Sequence, residues 1–315
     1  MCFHSGIIYN GVMMLGKIVT GDCLPTYEAL QNMSAQLAER FPCLKKGSIG
    51  ESWTGRDIIS LSFGCMDEPV LFAAAFHGQE WLTSLVLLRF CEDLFSAMET
   101  GQEICEVNSR RAFLGRGLIF IPCMNPDGVE IALNGWDTAG VYADFVQGVC
   151  GGDLTDWNAN ARGVDLNHNY NAGWRILRKM ETEAGIHGPA PRRYGGTKPE
   201  SELETQALVK LCRRVPIRHA FALHSQGEEI YWDYSDRTPS KSRFMAQVLA
   251  ISSGYTLAQP ETIASHGGFK DWFIEEFSRP AFTIELGKGK NPLPLSDLES
   301  VYQKAKEMFV VGAIL

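Results

Sequence analysis

Val70-Leu71-Phe72-Ala73-Ala74-Ala75-Phe76 runs without a polar residue into His77-Gly78-Gln79-Glu80. A strand that is apolar at every position has both faces covered, as in a parallel sheet lying between helices. Two later stretches repeat the pattern. Ala220-Phe221-Ala222-Leu223 ends in His224-Ser225, and Ala281-Phe282-Thr283-Ile284 ends in Glu285. In an open α/β sheet, ligands gather beyond the carboxyl ends of the strands. Three strands ending this way can bring two imidazoles and two carboxylates around one point. That inventory suits a hydrolytic zinc site: two His, one Glu and a water as fourth ligand. One further carboxylate is then left to move protons.

The rest of the chain alternates strand and helix signals. Tyr27, Leu30, Met33, Leu37 and Phe41 recur at helical spacing, so Thr26 to Arg40 predicts an amphipathic helix stopped by Pro42. Lys45 to Phe63 predicts two strands around the turn Glu51-Ser52-Trp53-Thr54-Gly55-Arg56. Further helices are expected at 81–98, 240–253, 269–277 and 296–314, and further strands at 118–122, 219–223, 229–234 and 281–285. Pro199-Glu200-Ser201-Glu202 opens a helix to Arg214, with acids at its start and Lys210, Arg213 and Arg214 at its end, both complementing the helix dipole. Residues 134–200 are rich in Gly, Asn, Trp, Pro and Arg. They predict a long irregular stretch of the kind that lines a site. The alternation argues for an α/β fold with a mostly parallel sheet covered on both faces.

The 315 residues, 45% of them hydrophobic, suffice for one large core. No Pro/Ser-rich or charge-dense linker divides them, so one domain is expected over 21–315, after an N-terminal extension at 1–20. Met1 to Leu15 lacks the basic start and small-residue cleavage site of a secretory signal. Met13 or Met14 offers a second start, which would make residues 1–13 over-extended. The 29 Lys and Arg against 37 Asp and Glu give a formal charge of −8. An acidic chain without a long basic run is a poor nucleic-acid binder. Nothing approaches the roughly 18 consecutive apolar residues of a membrane span. The nine Cys, at 2, 23, 43, 65, 91, 105, 123, 150 and 212, are odd in number and include no CxxC. Free, mostly buried thiols and a cytoplasmic location are expected.

His77 and Glu80 are three apart, so one helical turn can aim both at one ion. For a third ligand, His224 follows a strand and precedes a loop. His219 starts the same strand, lies at its far end and reads as structural. His4 and His187 sit in loop sequence. His168 and His266 lie in the unusual segments, where they can touch substrate. Glu285 closes a buried strand, where a charge is costly unless paired or functional. It reads either as a salt-bridged strand end or as the general base for a metal-activated water.

Five stretches in order carry a resemblance: His77-x-x-Glu80, Asn125-Pro126-Asp127-Gly128, Gly163-Val164-Asp165-Leu166-Asn167-His168-Asn169, His224-Ser225 and Phe282-Thr283-Ile284-Glu285. Together they resemble the zinc carboxypeptidases over roughly residues 45–315. The resemblance implies a mixed, mostly parallel eight-stranded sheet sandwiched between helices. It also implies one zinc ion held by His77, Glu80 and His224, with Glu285 as catalytic carboxylate and Asn167 on the substrate's carboxylate. Three positions depart from the family. His168 stands where an Arg usually pairs the terminal carboxylate, and a neutral imidazole cannot form a bidentate clamp. Asn158 stands where a basic residue polarises the scissile carbonyl, and Arg162 is a candidate substitute. The Tyr expected before Gly267-Gly268 is missing from Ile263-Ala264-Ser265-His266, where His266 can fill part of its role. Strict C-terminal exopeptidase action is therefore not implied.

Gly163 to Trp174 and Gly267 to Phe273 resemble the branch of bacterial γ-D-glutamyl-meso-diaminopimelate peptidases, which act on cell-wall peptides. Lys270 falls near the position that sets side-chain preference. There it reads an anionic group, or else is a solvated helix Lys beside Asp271. The expected function is a zinc metallopeptidase acting on a small, murein-derived peptide. Alternatives are a zinc amidohydrolase of N-acyl amino acids and an inactive peptide-binding module.

Overall fold

The computed structural model describes residues 7–9, 12–14, 16–259 and 265–315, the first two stretches by backbone alone. His4, much of the 1–20 extension, and Ile263 and Ala264 before His266 lie outside the described residues.

The main sheet has eight strands: β1 (Leu44–Glu51), β2 (Asp57–Gly64), β3 (Val70–Ala74), β4 (Gly117–Ile121), β5 (His219–His224), β6 (Glu229–Tyr231), β7 (Thr256–Leu257) and β8 (Ala281–Glu285). Their order across the sheet is β7-β6-β8-β5-β3-β4-β2-β1. The central strands β8, β5, β3 and β4 are parallel, β1, β2 and β4 pair antiparallel, and β6 is antiparallel to β8. The fold is thus the expected mixed, mostly parallel eight-stranded sheet.

Helices cover both faces. On one lie α1 (Tyr27–Arg40), α2 (Leu82–Thr100), α7 (Ser240–Ser253) and α9 (Leu298–Ile314), packed on Phe72, Phe120, Phe221 and Phe282. On the other lie α6 (Leu203–Arg214) and α8 (Phe269–Phe277), packed on Leu71, Ala73, Ala220 and Ala222. Large residues thus face the four-helix side and mostly smaller ones the other, alternating along each strand.

The four Phe residues form a ladder that sets the register. Phe72 stacks on Phe221 at 4.7 Å and on Phe120 at 5.9 Å, and Phe221 stacks on Phe282 at 5.3 Å. All four are 1% exposed or less, and each contributes roughly 1.5–3 kcal/mol of burial. With Phe221 opposite Phe282, three residues further bring His224 opposite Glu285. Both then project to the face opposite the ladder, because side chains alternate with period two. A one-residue slip would move each to the wrong face.

Residues 134–200 are less irregular than expected. They contain α4 (Ala143–Cys150) and α5 (Trp174–Glu183), with α3 (Pro126–Asn134) leading in. Helix α4 buries Val146 and Cys150, and α5 buries Leu177 and Glu181. Helix α4 is only 8 residues long, and one of the two residues that α5 buries is the charged Glu181, so neither buried face reads as a plain apolar stripe. The strand expected at 229–234 ends at Tyr231, where its pairing with β8 stops. Among the described residues eight cysteines are free; four are buried and three exposed, so fewer are buried than expected. No helix of the described residues is long and apolar enough to cross a membrane.

Candidate metal centre

The turn after β3 is built for close approach. Gly78 to Glu80 forms a short 3-10 turn. A Cβ on Gly78 would lie 2.4 Å from the Gly128 carbonyl oxygen and 2.7 Å from that of Trp157, so only glycine fits. Asn125 fastens the turn. Its Oδ1 accepts the Gly128 N–H at 2.8 Å as the α3 cap, while its Nδ2 donates to the carbonyls of Phe76 and Asn158 at 3.1 and 3.2 Å. Asp127 accepts from Ser52 Oγ at 2.7 Å and Arg56 at 2.8 Å. The Asn125-Pro126-Asp127-Gly128 motif is therefore framework, locking the end of β3 to α3 and to the β1–β2 turn.

Glu80, 5% exposed, joins the two imidazoles. Its Oε1 lies 2.8 Å from His77 Nδ1 and its Oε2 lies 2.9 Å from His224 Nδ1, while the two Nδ1 atoms are 3.3 Å apart. The potential ligand atoms of His77, Glu80 and His224 all fall within 4.8 Å of one another. His77 Nε2 lies 3.0 Å from Asp165 Oδ1. An N–H given to Asp165 leaves Nδ1 as a lone pair aimed at another acceptor. Acceptors converging this closely are held by a proton or by a cation, and a two-imidazole, one-carboxylate set suits zinc. A carboxylate behind a ligand imidazole is the usual arrangement for fixing its tautomer.

The electrostatics follow from burial and proximity. Burial opposes ionisation of Glu80, yet His77 and His224 outweigh it and bring its pKa down to about 2. Burial pushes His77 downward, but Glu80 and Asp165 lift it well above its usual range. Glu285 is raised well above a normal carboxyl, first by burial, then by Glu80 and by Glu229, its cross-strand neighbour on β6.

Glu285 lines a cavity of about 500 Å³ with Asn167, Glu229, Tyr231, Lys270 and Asp271. Asn167 Oδ1 accepts the Phe269 N–H at 3.0 Å, which leaves its amide NH2 as the donor end, unpaired among the described residues. Lys270 is only 4% exposed. Its Nζ donates to the Asp233 carbonyl at 2.8 Å and to Asp271, so it is a buried, paired residue rather than a solvated one.

The other expected residues sit differently. His168 is buried, with Nδ1 at 3.2 Å from Glu181 Oε1 and 3.1 Å from the Arg193 carbonyl. It ties the irregular segment together and is not among the cavity's lining residues. His266 Nδ1 lies 3.1 Å from the Tyr234 hydroxyl, also off the cavity wall. Arg162 lies over Trp53 at 4.3 Å, with Glu202 at 3.8 Å. Those two partners engage the charge proposed to replace a missing basic residue. Asn158 gives its carbonyl to the Gly78 N–H at 3.1 Å, and its buried Oδ1 has no partner among the described residues. His219 Nε2 lies 2.7 Å from the Gly312 carbonyl, a structural role as expected, and His187 is exposed. Asp165, Glu229 and Asp271 were not singled out from sequence. Asp165 had a signal, since it stands two residues before Asn167 in the Asp165-Leu166-Asn167 stretch.

The profile of the zinc carboxypeptidase family matches residues 30–308. The chain belongs to the zinc carboxypeptidase family. It is a metallopeptidase by that membership. It is 31% identical over 301 residues to γ-D-glutamyl-L-diamino acid endopeptidase 1 of Lysinibacillus sphaericus, covering 95% of this chain and 74% of that one. Human carboxypeptidase B is 24% identical over 279 residues, covering 82% of this chain and 62% of that protein. Among solved structures, thrombin activatable fibrinolysis inhibitor superposes with a TM-score of 0.73 at 19% identity, covering 95% of this chain and 76% of that one. The murein-tripeptide amidase of Escherichia coli O157 gives a TM-score of 0.51 at 21% identity, covering 85% and 89%. At such identities these two structures speak for the fold of this metallopeptidase.

Proposed function

We propose that this metallopeptidase is zinc-dependent and hydrolyses the amide between a γ-D-glutamyl group and diaminopimelate in small murein-derived peptides. The observation that carries the reading is the His77–Glu80–His224 cluster with Glu285, which pairs with His224 across the strands and lines a charged cavity. The name of the relative from Lysinibacillus sphaericus supports the substrate class.

His77, Glu80 and His224 would hold one zinc ion. When bound, zinc polarises the scissile carbonyl and acidifies a water. Asp165 holds the His77 ring, with its Oδ1 on Nε2 and its Oδ2 on the Arg193 N–H at 2.9 Å. Glu285 takes a proton from the attacking water as the C–O bond forms. It returns that proton to the nitrogen as the C–N bond breaks, giving a carboxylate and a free amine. Burial and Glu80 raise its carboxyl above the usual range, the direction that favours accepting that proton. Asn167 presents its amide donor to the substrate's carboxylate. Asn158 supplies a neutral dipole where a charged group is usual in the family.

The test is mass-spectrometric analysis of zinc-loaded protein with L-Ala-γ-D-Glu-meso-diaminopimelate and with an ordinary C-terminal dipeptide. Release of diaminopimelate with the ordinary peptide left intact is the expected result. Cleavage of the ordinary peptide alone, or of neither, overturns the substrate assignment.

A further inference from the structure

The cavity beside Glu285 has a charge balance that Lys270 alone does not suggest. Three carboxylates line it, Glu229, Asp271 and Glu285, against the one ammonium of Lys270. Asp271 already compensates Lys270 by direct contact. A side chain ending only in a carboxylate would therefore meet a wall of net negative charge. Such like-charge contact is costly where water is excluded. Glu229 is the unbalanced member. It is half-buried, and its Oε2 accepts the Tyr231 hydroxyl at 2.6 Å. Among the described residues no cation pairs with it. Lys270 in turn keeps capacity to spare, because an ammonium has three donors and two go to the Asp233 carbonyl and Asp271.

We infer that this cavity is a reader of side chains ending in an amino-acid head, with Glu229 taking the distal ammonium and Lys270 the distal carboxylate. The inference rests on the peptidase reading of the site and sharpens it: the ammonium contributes more than the carboxylate. Glu229 extends from β6 in register with Glu285 on β8, so it sits one strand from the reacting atoms. Lys270 comes from the first turn of α8. The two poles thus belong to separate elements of one cavity, which suits a zwitterion better than either charge alone. A site built to pair a polar group rejects an analogue that lacks it, because the buried partner is left unsatisfied.

The probes are three free amino acids: meso-diaminopimelate, with both distal groups; L-lysine, with the ammonium alone; and L-2-aminopimelate, with the carboxylate alone. Calorimetric binding to the zinc-loaded protein gives an affinity for each without turnover. The expected order is diaminopimelate, then lysine, then aminopimelate, with at least about tenfold between first and last. Glu229→Gln keeps an acceptor for Tyr231 and is expected to weaken diaminopimelate and lysine several-fold while leaving aminopimelate unchanged or improved. Glu229→Asp is expected to recover part of the loss. Equal affinities, aminopimelate ahead of lysine, no binding of any probe, or a Glu229→Gln protein indistinguishable from wild type would each overturn the inference. If the probes discriminate as stated while no peptide is cleaved, the cavity reading stands and the peptidase substrate reading falls. If the γ-D-glutamyl peptide is cleaved but the probes bind without discrimination, the reverse holds.

Discussion

Asp165→Asn is the sharpest perturbation of the metal centre that leaves every proposed ligand in place. Asp165 is 3% exposed and uses both oxygens. Oδ1 meets His77 Nε2 at 3.0 Å and the Asn167 N–H at 3.1 Å, and Oδ2 accepts the Arg193 N–H at 2.9 Å. Asparagine has one acceptor end and one donor end. If its oxygen stays on His77, its NH2 opposes the Arg193 N–H, and an unpaired buried donor costs about 1–3 kcal/mol. If the amide flips, its NH2 meets His77 Nε2 and moves the imidazole proton to Nδ1, the nitrogen needed as a ligand. Loss of a carboxylate behind a ligand imidazole weakens metal about 10–100-fold, which is about 1.4–2.8 kcal/mol. Chelator competition on wild type and Asp165→Asn should show that weakening, and thermal unfolding should show a melting point lower by a few degrees. Unchanged zinc affinity would refute the argument that Asp165 sets the His77 tautomer.

Three more outcomes follow from the same geometry. Glu285→Gln should keep zinc stoichiometry and lose about 10²–10⁴ in turnover; steady-state assay beside metal analysis checks this, and undiminished activity removes Glu285 as base. Gly78→Ala forces a Cβ to 2.4 Å from the Gly128 carbonyl oxygen, so denaturant unfolding should show a loss of about 1–3 kcal/mol together with weaker zinc binding. Glu204 is fully buried and raised well above its usual 4.5 by burial, then by Asp127. A raised carboxyl favours the fold below about pH 4.5, and that advantage is lost as pH climbs through the folded value. Glu204→Gln should therefore stabilise the protein at pH 8 by about 1–3 kcal/mol and make no difference near pH 4.5, as read by melting curves across pH.

The sheet and the metal cluster were legible because one pattern carries both. Runs such as Val70–Phe76 are buried on two faces and show it at every residue, and a His or Glu breaking such a run stands out. Helices α7 and α8 were expected at 240–253 and 269–277 and lie there. Helices α4 and α5 are not legible in the sequence, because α4 is only 8 residues long and α5 buries the charged Glu181 beside Leu177. The second layer of the site was harder still. Asp165 acts through His77, 88 residues away along the chain, and no local spacing encodes such a contact. Lys270 offered an anion reader or a solvated surface lysine. Its burial against Asp271 excludes the solvated reading, and Glu229, reached only by the β6–β8 pairing, changes the sign of the wall around it.

The central claim is that His77, Glu80 and His224 form one zinc site on which hydrolysis depends. Its most direct test is metal content by mass spectrometry after zinc loading and dialysis, for wild type and His224→Ala, with peptide cleavage measured on the same samples. The account predicts about one zinc per wild-type chain, little in His224→Ala, and cleavage that falls in step. Full zinc occupancy in His224→Ala, or cleavage that survives removal of the metal, would contradict it.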